Sequence, residues 1–467
     1  MAKKKQIELT IEEKLQNALV PKEEQPYKIP NNWCWIYMYS CSVFERGVTF
    51  PASAKKYNYN EALIPCLRTA NIQDILDVKD LIYIDKKYLK NNMDKIIRNQ
   101  DIILSSANSK ELVGKTSYIE NIKNKMTFGG FNLVIRNLIG NSKYIFYYLR
   151  FLFFMGVFRK KASQTTNIAN INTKILSKEC IPFPPISEQQ RIVNRIESLF
   201  AKLDRAKELI ENTLAQWEQN KMAILHKAFT GELTAKWRKE NNIDLSSWEN
   251  GILMDFCKIN PKKINTKEFD DDMIVSFIPM PCVSDIWGKI VKKELRKLGE
   301  VKKGYTNFCE GDVLFAKITP CMENGKSAIV DKLENDIGFG STEFYVLRCD
   351  ENKLNNKYLH YFVRQKTFRD EAKGEMTGAV GQQRVPKTFL ENYKMKVPTI
   401  EEQQEIVNIL DKLLAKYNKI KNLEQQLEKI ELLKKAILAK AFRGELGTNN
   451  PDEESAENLL KEILAEK

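Results

Sequence analysis

Histidine is nearly missing from this sequence: His226 and His360 are the only two in 467 residues. A metal site or catalytic triad built on several imidazoles is excluded by that scarcity. Nine cysteines lie scattered between Cys34 and Cys349, and no two form a C-x-x-C pair. Neither a zinc ribbon nor a thioredoxin-like redox centre is therefore indicated. Their odd number, and the lack of a secretory leader ahead of them, are read as reduced thiols in a cytoplasmic protein. Long apolar runs are missing too. The most hydrophobic stretch, Tyr144 to Phe158, is shorter than the ~18–20 residues of a membrane span and carries Arg150 in its middle. It predicts a buried helix.

What the chain does have is 43% apolar residues, enough for a globular protein of two to four domains. It also has an internal repeat. PPISEQQRIVNRIESLFAKL, from Pro184 to Leu203, returns 214 positions later as PTIEEQQEIVNILDKLLAKY, from Pro398 to Tyr417. Downstream, AILHKAFTGEL (Ala223 to Leu233) returns as AILAKAFRGEL (Ala436 to Leu446). The match runs backwards as well, into less similar sequence. KYIFYYLR at Lys143 faces KYLHYFVR at Lys357, DIILS at Asp101 faces DVLFA at Asp312, and Gly114-Lys115-Thr116 faces Gly325-Lys326-Ser327. Trp33 heads the first copy and Trp248 the second. Each copy is a variable globular part followed by a well-matched helical part.

The helical parts have a clear apolar period. Ile192, Ile196, Leu199, Leu203, Ala206, Ile210, Leu214 and Trp217 recur at spacings of three and four. In the second copy Ile406, Leu410, Leu413, Tyr417, Ile420, Leu423, Leu427, Ile430, Leu433 and Ile437 do the same. Each is a coiled-coil seam. Ser187 reads as the N-cap of the first helix, with Glu188 favouring the dipole in its first turn, and Gly231 and Gly444 read as stops. Helices of about 40 residues, or roughly 60 Å at 1.5 Å per residue, are expected to pair antiparallel.

The net charge of +13 is unevenly spread: residues 33–187 carry +11 and residues 248–400 carry +3. A basic surplus on folded units, not on the helices, points to a polyanion, with nucleic acid the default. Catalytic motifs, by contrast, dissolve on inspection. The two GK turns resemble the end of a phosphate-binding loop, but Ser109 and Pro320 stand where its first glycine is required. Asn260-Pro261-Lys262-Lys263 lacks the second proline and the aromatic with which amino-methyltransferases grip a flipped base. A binder is indicated, not a catalyst.

PPISEQQRIVNRIESLFAKLD…AILHKAFTGEL and its repeat resemble the two helical regions of the DNA-specificity subunit of type I restriction-modification enzymes. Trp33, Trp248, LRTANIQ (Leu67 to Gln73), VSFIPM (Val275 to Met280) and TGAVGQQRV (Thr377 to Val385) are similar to features of its target recognition domains. The resemblance implies an α/β (α+β) fold: two duplicated mixed α/β target recognition domains separated by an antiparallel two-helix coiled coil, in a pseudo-two-fold cyclic arrangement. The expected segments are an N-terminal helical segment at 1–30 packing near the C-terminal helix, recognition domains at 31–187 and 248–400, a spacer helix and linker at 188–247, a second spacer helix at 401–446, and a tail at 447–467.

The same resemblance implies a non-catalytic subunit that binds double-stranded DNA, each domain reading one half of a bipartite, asymmetric target. Two methyltransferase subunits would dock on the helices, and two restriction/motor subunits would join for cleavage. S-adenosylmethionine, ATP and Mg would belong to those partners, with no cofactor or metal in this chain. Candidate DNA contacts in the first domain are Arg68, Lys115, Arg159, Lys161, Gln164, Thr165 and Thr166, the last five in a loop matched to Thr377–Arg384. In the second they are Lys317, Lys326, Thr377, Gln382, Gln383 and Arg384. Gln suits adenine edges and Arg suits guanine. Gln189, Gln190, Gln403, Gln404, Phe229 and Phe442 are the candidate partner contacts.

Overall fold

The computed structural model describes residues 10–164, 168–379, 381–417 and 421–465. The chain divides into two compact units. Unit 1 comprises residues 1–208 together with 426–467, and unit 2 comprises residues 209–425.

In unit 1 a four-stranded antiparallel sheet runs in the order Ser42–Arg46, Asn132–Asn137, Ile102–Ser105, Thr116–Tyr118. Its central strand is the DIILS stretch, whose Ile102, Ile103 and Leu104 are fully buried. A second sheet pairs Leu63–Leu67 antiparallel with Ile82–Asp85 and parallel with Thr127–Phe128. A two-stranded ribbon, Cys34–Tyr37 with Cys180–Phe183, ties the start of the domain to its end.

Unit 2 repeats this plan in its main sheets. Its four-stranded sheet runs Cys257–Ile259, Phe344–Cys349, Val313–Ala316, Ser327–Ile329. Its second sheet has Ile274–Ile278 between antiparallel Glu294–Lys297 and parallel Gly338–Gly340, and adds Thr306–Phe308. The closing ribbon is Glu249–Ile252 with Lys394–Val397. Even an ion pair to a buried aspartate recurs: Arg136 to Asp101 at 3.0 Å and Arg348 to Asp312 at 2.8 Å.

The apolar stretch at Tyr144 forms the helix Ser142–Phe154, capped by the Asn141 carboxamide and ended before Gly156, whose φ is +69°. A second helix, Val157–Lys161, follows. Tyr144 and Tyr148 are buried, and their hydroxyls donate to the carbonyls of Pro182 and Cys180 at 2.7 and 2.6 Å. No helix among the described residues is long and apolar enough to cross a membrane.

Ile186–Thr230 is one continuous 45-residue helix, through which the chain passes from unit 1 into unit 2. It starts two residues earlier than expected, so Ser187 lies inside the first turn and is not the N-cap. The second helical region is described as Ile400–Tyr417 and Lys421–Phe442, and Ile420 lies outside the described residues. Gly231 and Gly444 follow the two helical ends with φ of +85° and +76°. A Cβ on Gly444 would sit 2.4 Å from the Pro30 ring, so only glycine fits there. Within unit 1 the pairing is antiparallel: Asp204 meets Lys434, and Lys207 meets Glu431 at 3.5 Å.

The expected seam holds at Ile192, Ile196, Ile406, Leu410 and Ile430, all buried. It slips at Leu433, which is 49% exposed, while its neighbour Lys434 lies buried over the Phe200 ring. Its ammonium reaches Asp204 on the facing helix, and the buried face there runs through Ile430, Lys434 and Leu438.

The first and last described helices both belong to unit 1. The helix Ile11–Ala18, closed by a Thr10–Glu13 capping box, packs against Ala456–Ala465, with Lys461 3.5 Å from Glu12. The Arg191 guanidinium holds Glu453 with two bonds of 2.7 Å. The stretch expected as a tail is thus part of the unit.

His360, buried on the helix Asn356–Arg364, has its imidazole pushed down to about 3, by burial first and by Arg364 next. The folded unit keeps it neutral, whereas the unfolded chain protonates near 6.5. The contribution of His360 to stability is therefore complete above about pH 6.5 and falls from there towards pH 3, at about 1.4 kcal/mol per pH unit. Urea unfolding between pH 7 and pH 5 checks this, with a His360→Gln variant expected to show the shallower slope.

Candidate nucleic-acid interface

The variable part of each domain converges on one end of its central strand. In unit 2 the strand Val313–Ala316 runs out into Lys317, Ile318 and Thr319. Ala316 N–H donates to the carbonyl of Lys326 at 3.0 Å, which brings the Gly325-Lys326-Ser327 turn beside it. The segment Thr377–Arg384 folds back as a hairpin: Thr377 and Arg384 exchange backbone bonds of 3.0 and 2.8 Å. Arg384 also bridges to Ile318, and Val385 N–H reaches the Lys317 carbonyl at 2.9 Å. Lys317, Gln383 and Arg384 are thus assembled on one rim, with Lys326 on the adjoining turn and Gln382 exposed at the hairpin tip.

Charges on this rim are arranged. The Lys317 ammonium sits 5.3 Å from the centre of the Tyr345 ring, whose hydroxyl donates to the Val385 carbonyl at 2.8 Å. Glu343 meets Arg384 at 2.8 Å. Arg384 and Lys317 hold the Glu343 carboxyl below the ordinary range, Arg384 being the larger influence. The Lys326 ammonium donates to the Met280 carbonyl at 3.3 Å, tying the turn to the VSFIPM segment.

Unit 1 has the same construction with different side chains. Ser105 N–H donates to the Lys115 carbonyl at 2.8 Å, and the strand continues into Ala107–Asn108. Ser163–Gln164 pairs with Ala169–Asn170, which pairs with Ala107–Asn108. Ser163 faces Asn170 as Thr377 faces Arg384, with the same seven-residue separation. Gly114, with φ of +87°, lets the lysine turn close against Phe158, where a Cβ would lie 2.3 Å from the ring.

This equivalence corrects the expected alignment. Arg159 and Lys161 belong to the helix Val157–Lys161, ahead of the hairpin, and Lys161 holds the buried Glu179 carboxylate at 2.8 Å. Gln164 is exposed on the hairpin, and Thr165 and Thr166 lie outside the described residues. Lys115 donates to the Gln73 side chain at the end of the LRTANIQ segment, and Arg68, within that segment, pairs with Asp80 at 2.6 Å. Sequence reasoning missed Asn108, Asn170 and Glu343. Only strand pairing brings them to the rim.

The expected partner contacts need a firmer correction. Gln189 and Gln403 are fully buried. Gln189 Oε1 accepts from Asn141 N–H at 2.8 Å and its amide donates to the Pro184 carbonyl at 2.9 Å. Gln403 does the same with Asn355 (2.7 Å) and Pro398 (2.8 Å). Phe442 is buried among Tyr144, Tyr148 and Phe151, and Phe229 packs on Tyr358 and Phe362. These four side chains clamp helix to domain. Gln190 and Gln404 are exposed, each bonded to the neighbouring Asn141 or Asn355 carboxamide.

The first glutamate of each EQQ triplet completes the clamp. Trp33 Nε1 donates to Glu188 and Trp248 Nε1 to Glu402, both at 2.9 Å. Thr448 and Thr234 hydroxyls reach the same two carboxylates, at 3.4 and 2.6 Å.

Comparison with known proteins gives this geometry its context. A family model described as "Type I restriction modification DNA specificity domain" matches residues 41–215 and again 246–432. The specificity subunit of the type I restriction enzyme EcoEI of Escherichia coli is 34% identical over 262 residues, which are 47% of this chain and 44% of that protein. The chain thus spans less than half of that relative's length. Over nearly full length, 94% of this chain and 96% of the other, it is 26% identical to the StySPI specificity subunit of Salmonella potsdam. Among solved structures, one described under complex assembly and conformational transition of the type I R-M system superimposes with a TM-score of 0.66 at 18% identity, covering 90% of this chain and 100% of the other. The HsdS subunit of Thermoanaerobacter tengcongensis gives 0.52 at 20% identity, covering 91% and 100%. These last two likenesses bear on the fold.

Proposed function

Because the chain belongs to the type I restriction-modification DNA specificity family, we propose that it is the DNA-reading subunit of such a system and not its catalyst. Each unit would read one half of an interrupted target, using the rim at the end of its central strand. The observation that carries this reading is the pair of hairpins. Their paired ends, Ser163 with Asn170 and Thr377 with Arg384, share separation and position, yet SQTTNIAN and TGAVGQQR are identical at no aligned position. Constant scaffold with altered tips is what two readers of unlike half-sites require. Phosphate contacts from the basic surface would position the duplex, and tip side chains would choose the bases.

The helical parts would act as the spacer between half-sites and as the platform for two methyltransferase subunits, with two restriction/motor subunits joining for cleavage. Buried Gln189 and Gln403 are left out of that platform. Ile75 and Ile286, at matching positions, are 86% and 59% exposed. Two equivalent apolar contacts suit a partner present in two copies. S-adenosylmethionine, ATP and Mg would be carried by those partners, in the cytoplasm.

Co-expression with its methyltransferase, followed by genome-wide mapping of methylated adenines, tests the reading. One asymmetric motif with an unread gap is expected, and an uninterrupted or absent motif overturns it. Replacing Gln382, Gln383 and Arg384 together by Ala is expected to relax one half only. Equal loss at both halves would count against separate readers.

A further inference from the structure

The geometry points to Glu343 as a specificity-determining residue that sets Arg384 to read a guanine in the half-site bound by unit 2. The inference rests on the DNA-reading function proposed above and adds the base, the reader and the group that aims it.

Arg384 is held at three nitrogens. Its Nε donates to the two Glu343 oxygens at 3.2 and 3.0 Å, Nη2 to Glu343 Oε1 at 2.8 Å, and Nη1 to the Gln382 carbonyl at 3.1 Å. A guanidinium has five N–H donors in a rigid plane. Three are engaged here, which leaves one on each terminal nitrogen. That pair matches the two acceptors, O6 and N7, that guanine shows in the major groove. A long, flexible side chain fixed in advance loses less freedom on binding, and its preference sharpens accordingly.

Stability does not account for the pair. Arg384 is 44% and Glu343 25% exposed at the side chain, and ion pairs so open to water contribute little. Nor does the scaffold need it. Lys317 N–H bonds the Glu343 carbonyl at 2.9 Å, and in unit 1 Ser106 N–H bonds the Phe131 carbonyl at the same distance. At the positions matching Glu343 and Arg384, unit 1 thus carries Phe131 and Asn170. The acid and the guanidinium are absent together where the backbone is the same. Glu343 also cancels the charge of Arg384. A neutralised, fixed fork suits a base edge better than a phosphate, which a free arginine would grip at any sequence.

The test uses the full chain with its methyltransferase. Methylated sites are mapped, and duplex binding is measured against salt, for the wild type, Arg384→Ala, Glu343→Ala and Glu343→Gln. The wild type is expected to require guanine at one position of one half-site. Arg384→Ala should lower that preference about 10–100-fold at that position alone, and both Glu343 variants should lower it by a smaller factor at the same position. Glu343→Ala should also hold non-specific DNA at least as well as the wild type, with a salt slope steeper by about one, since a positive charge is unmasked. An unchanged motif with uniformly weaker binding would make Arg384 a phosphate contact and overturn the assignment. So would loss spread over several positions, or Glu343→Gln behaving as wild type at the guanine. A wild type without any sequence preference would remove the DNA-reading function itself, a failure recognisable before any variant is compared.

Discussion

Replacing Glu402 by alanine is expected to destabilise unit 2 by about 3–5 kcal/mol. The carboxylate is fully buried at the first turn of Ile400–Tyr417 and gathers three donors: Trp248 Nε1, the Thr234 hydroxyl and the Arg238 guanidinium. Arg238 is only 9% exposed at the side chain and donates its other nitrogen to the Gly231 carbonyl. Removing the acid leaves a buried cation and a buried indole N–H unanswered, and uncompensated charge is the larger loss. Unit 1 supplies an internal contrast. Glu188 has the matching tryptophan and threonine, but its nearby arginine, Arg191, is turned to Glu453. Burial pushes the Glu188 carboxyl up. Glu188→Gln keeps the acceptor for Trp33 and is expected to cost about 1 kcal/mol or less, whereas Glu402→Gln strands Arg238. Urea unfolding followed by tryptophan fluorescence compares them, and equal losses would mean that the Arg238 pairing is unimportant.

Phe442→Ala should be the most damaging apolar truncation, at about 3–5 kcal/mol. Its ring is fully buried, with centroids 5.3, 5.0 and 5.5 Å from Tyr144, Tyr148 and Phe151. Because Tyr144 and Tyr148 are pinned by hydroxyl bonds to the chain, the slot cannot collapse to fill the void. For a unit of this size the loss lowers the melting temperature by about 10 °C. Phe229→Ala, at the matching place in unit 2, removes a ring that is only partly buried and should cost less. Calorimetry resolves the two, and a larger effect at Phe229 would overturn the ranking.

Much of the fold was legible because duplication shows in the residues themselves. DIILS and DVLFA became central strands, and the EQQ and AF-x-GEL stretches became helix start and helix end. The role of the EQQ triplets was not legible. A polar run opening a helix looks available to a partner, and nothing local reveals that Gln189 reaches the main chain of Asn141, 48 residues earlier. The first hairpin was misplaced by several residues for a related reason. SQTTNIAN is identical to its counterpart at no aligned position, so only the ladder from Ala107–Asn108 through Ala169–Asn170 fixes its position. Glu343 escaped notice because its partner lies 41 residues on. The seam register failed at Leu433, where Lys434 takes the inward place with its stem over the Phe200 ring.

The composition of unit 1 has a consequence for synthesis. Its strands and the Tyr144 helix leave the ribosome before unit 2, but Phe442 and the helix Ala456–Ala465 that complete it follow unit 2. At roughly 5–20 residues per second, the aromatic slot stays unfilled for tens of seconds while all of unit 2 is translated. A nascent chain held in that interval exposes Tyr148 and Phe151 with nothing to cover them. Chaperone dependence during translation should therefore fall on the half of the protein that is made first.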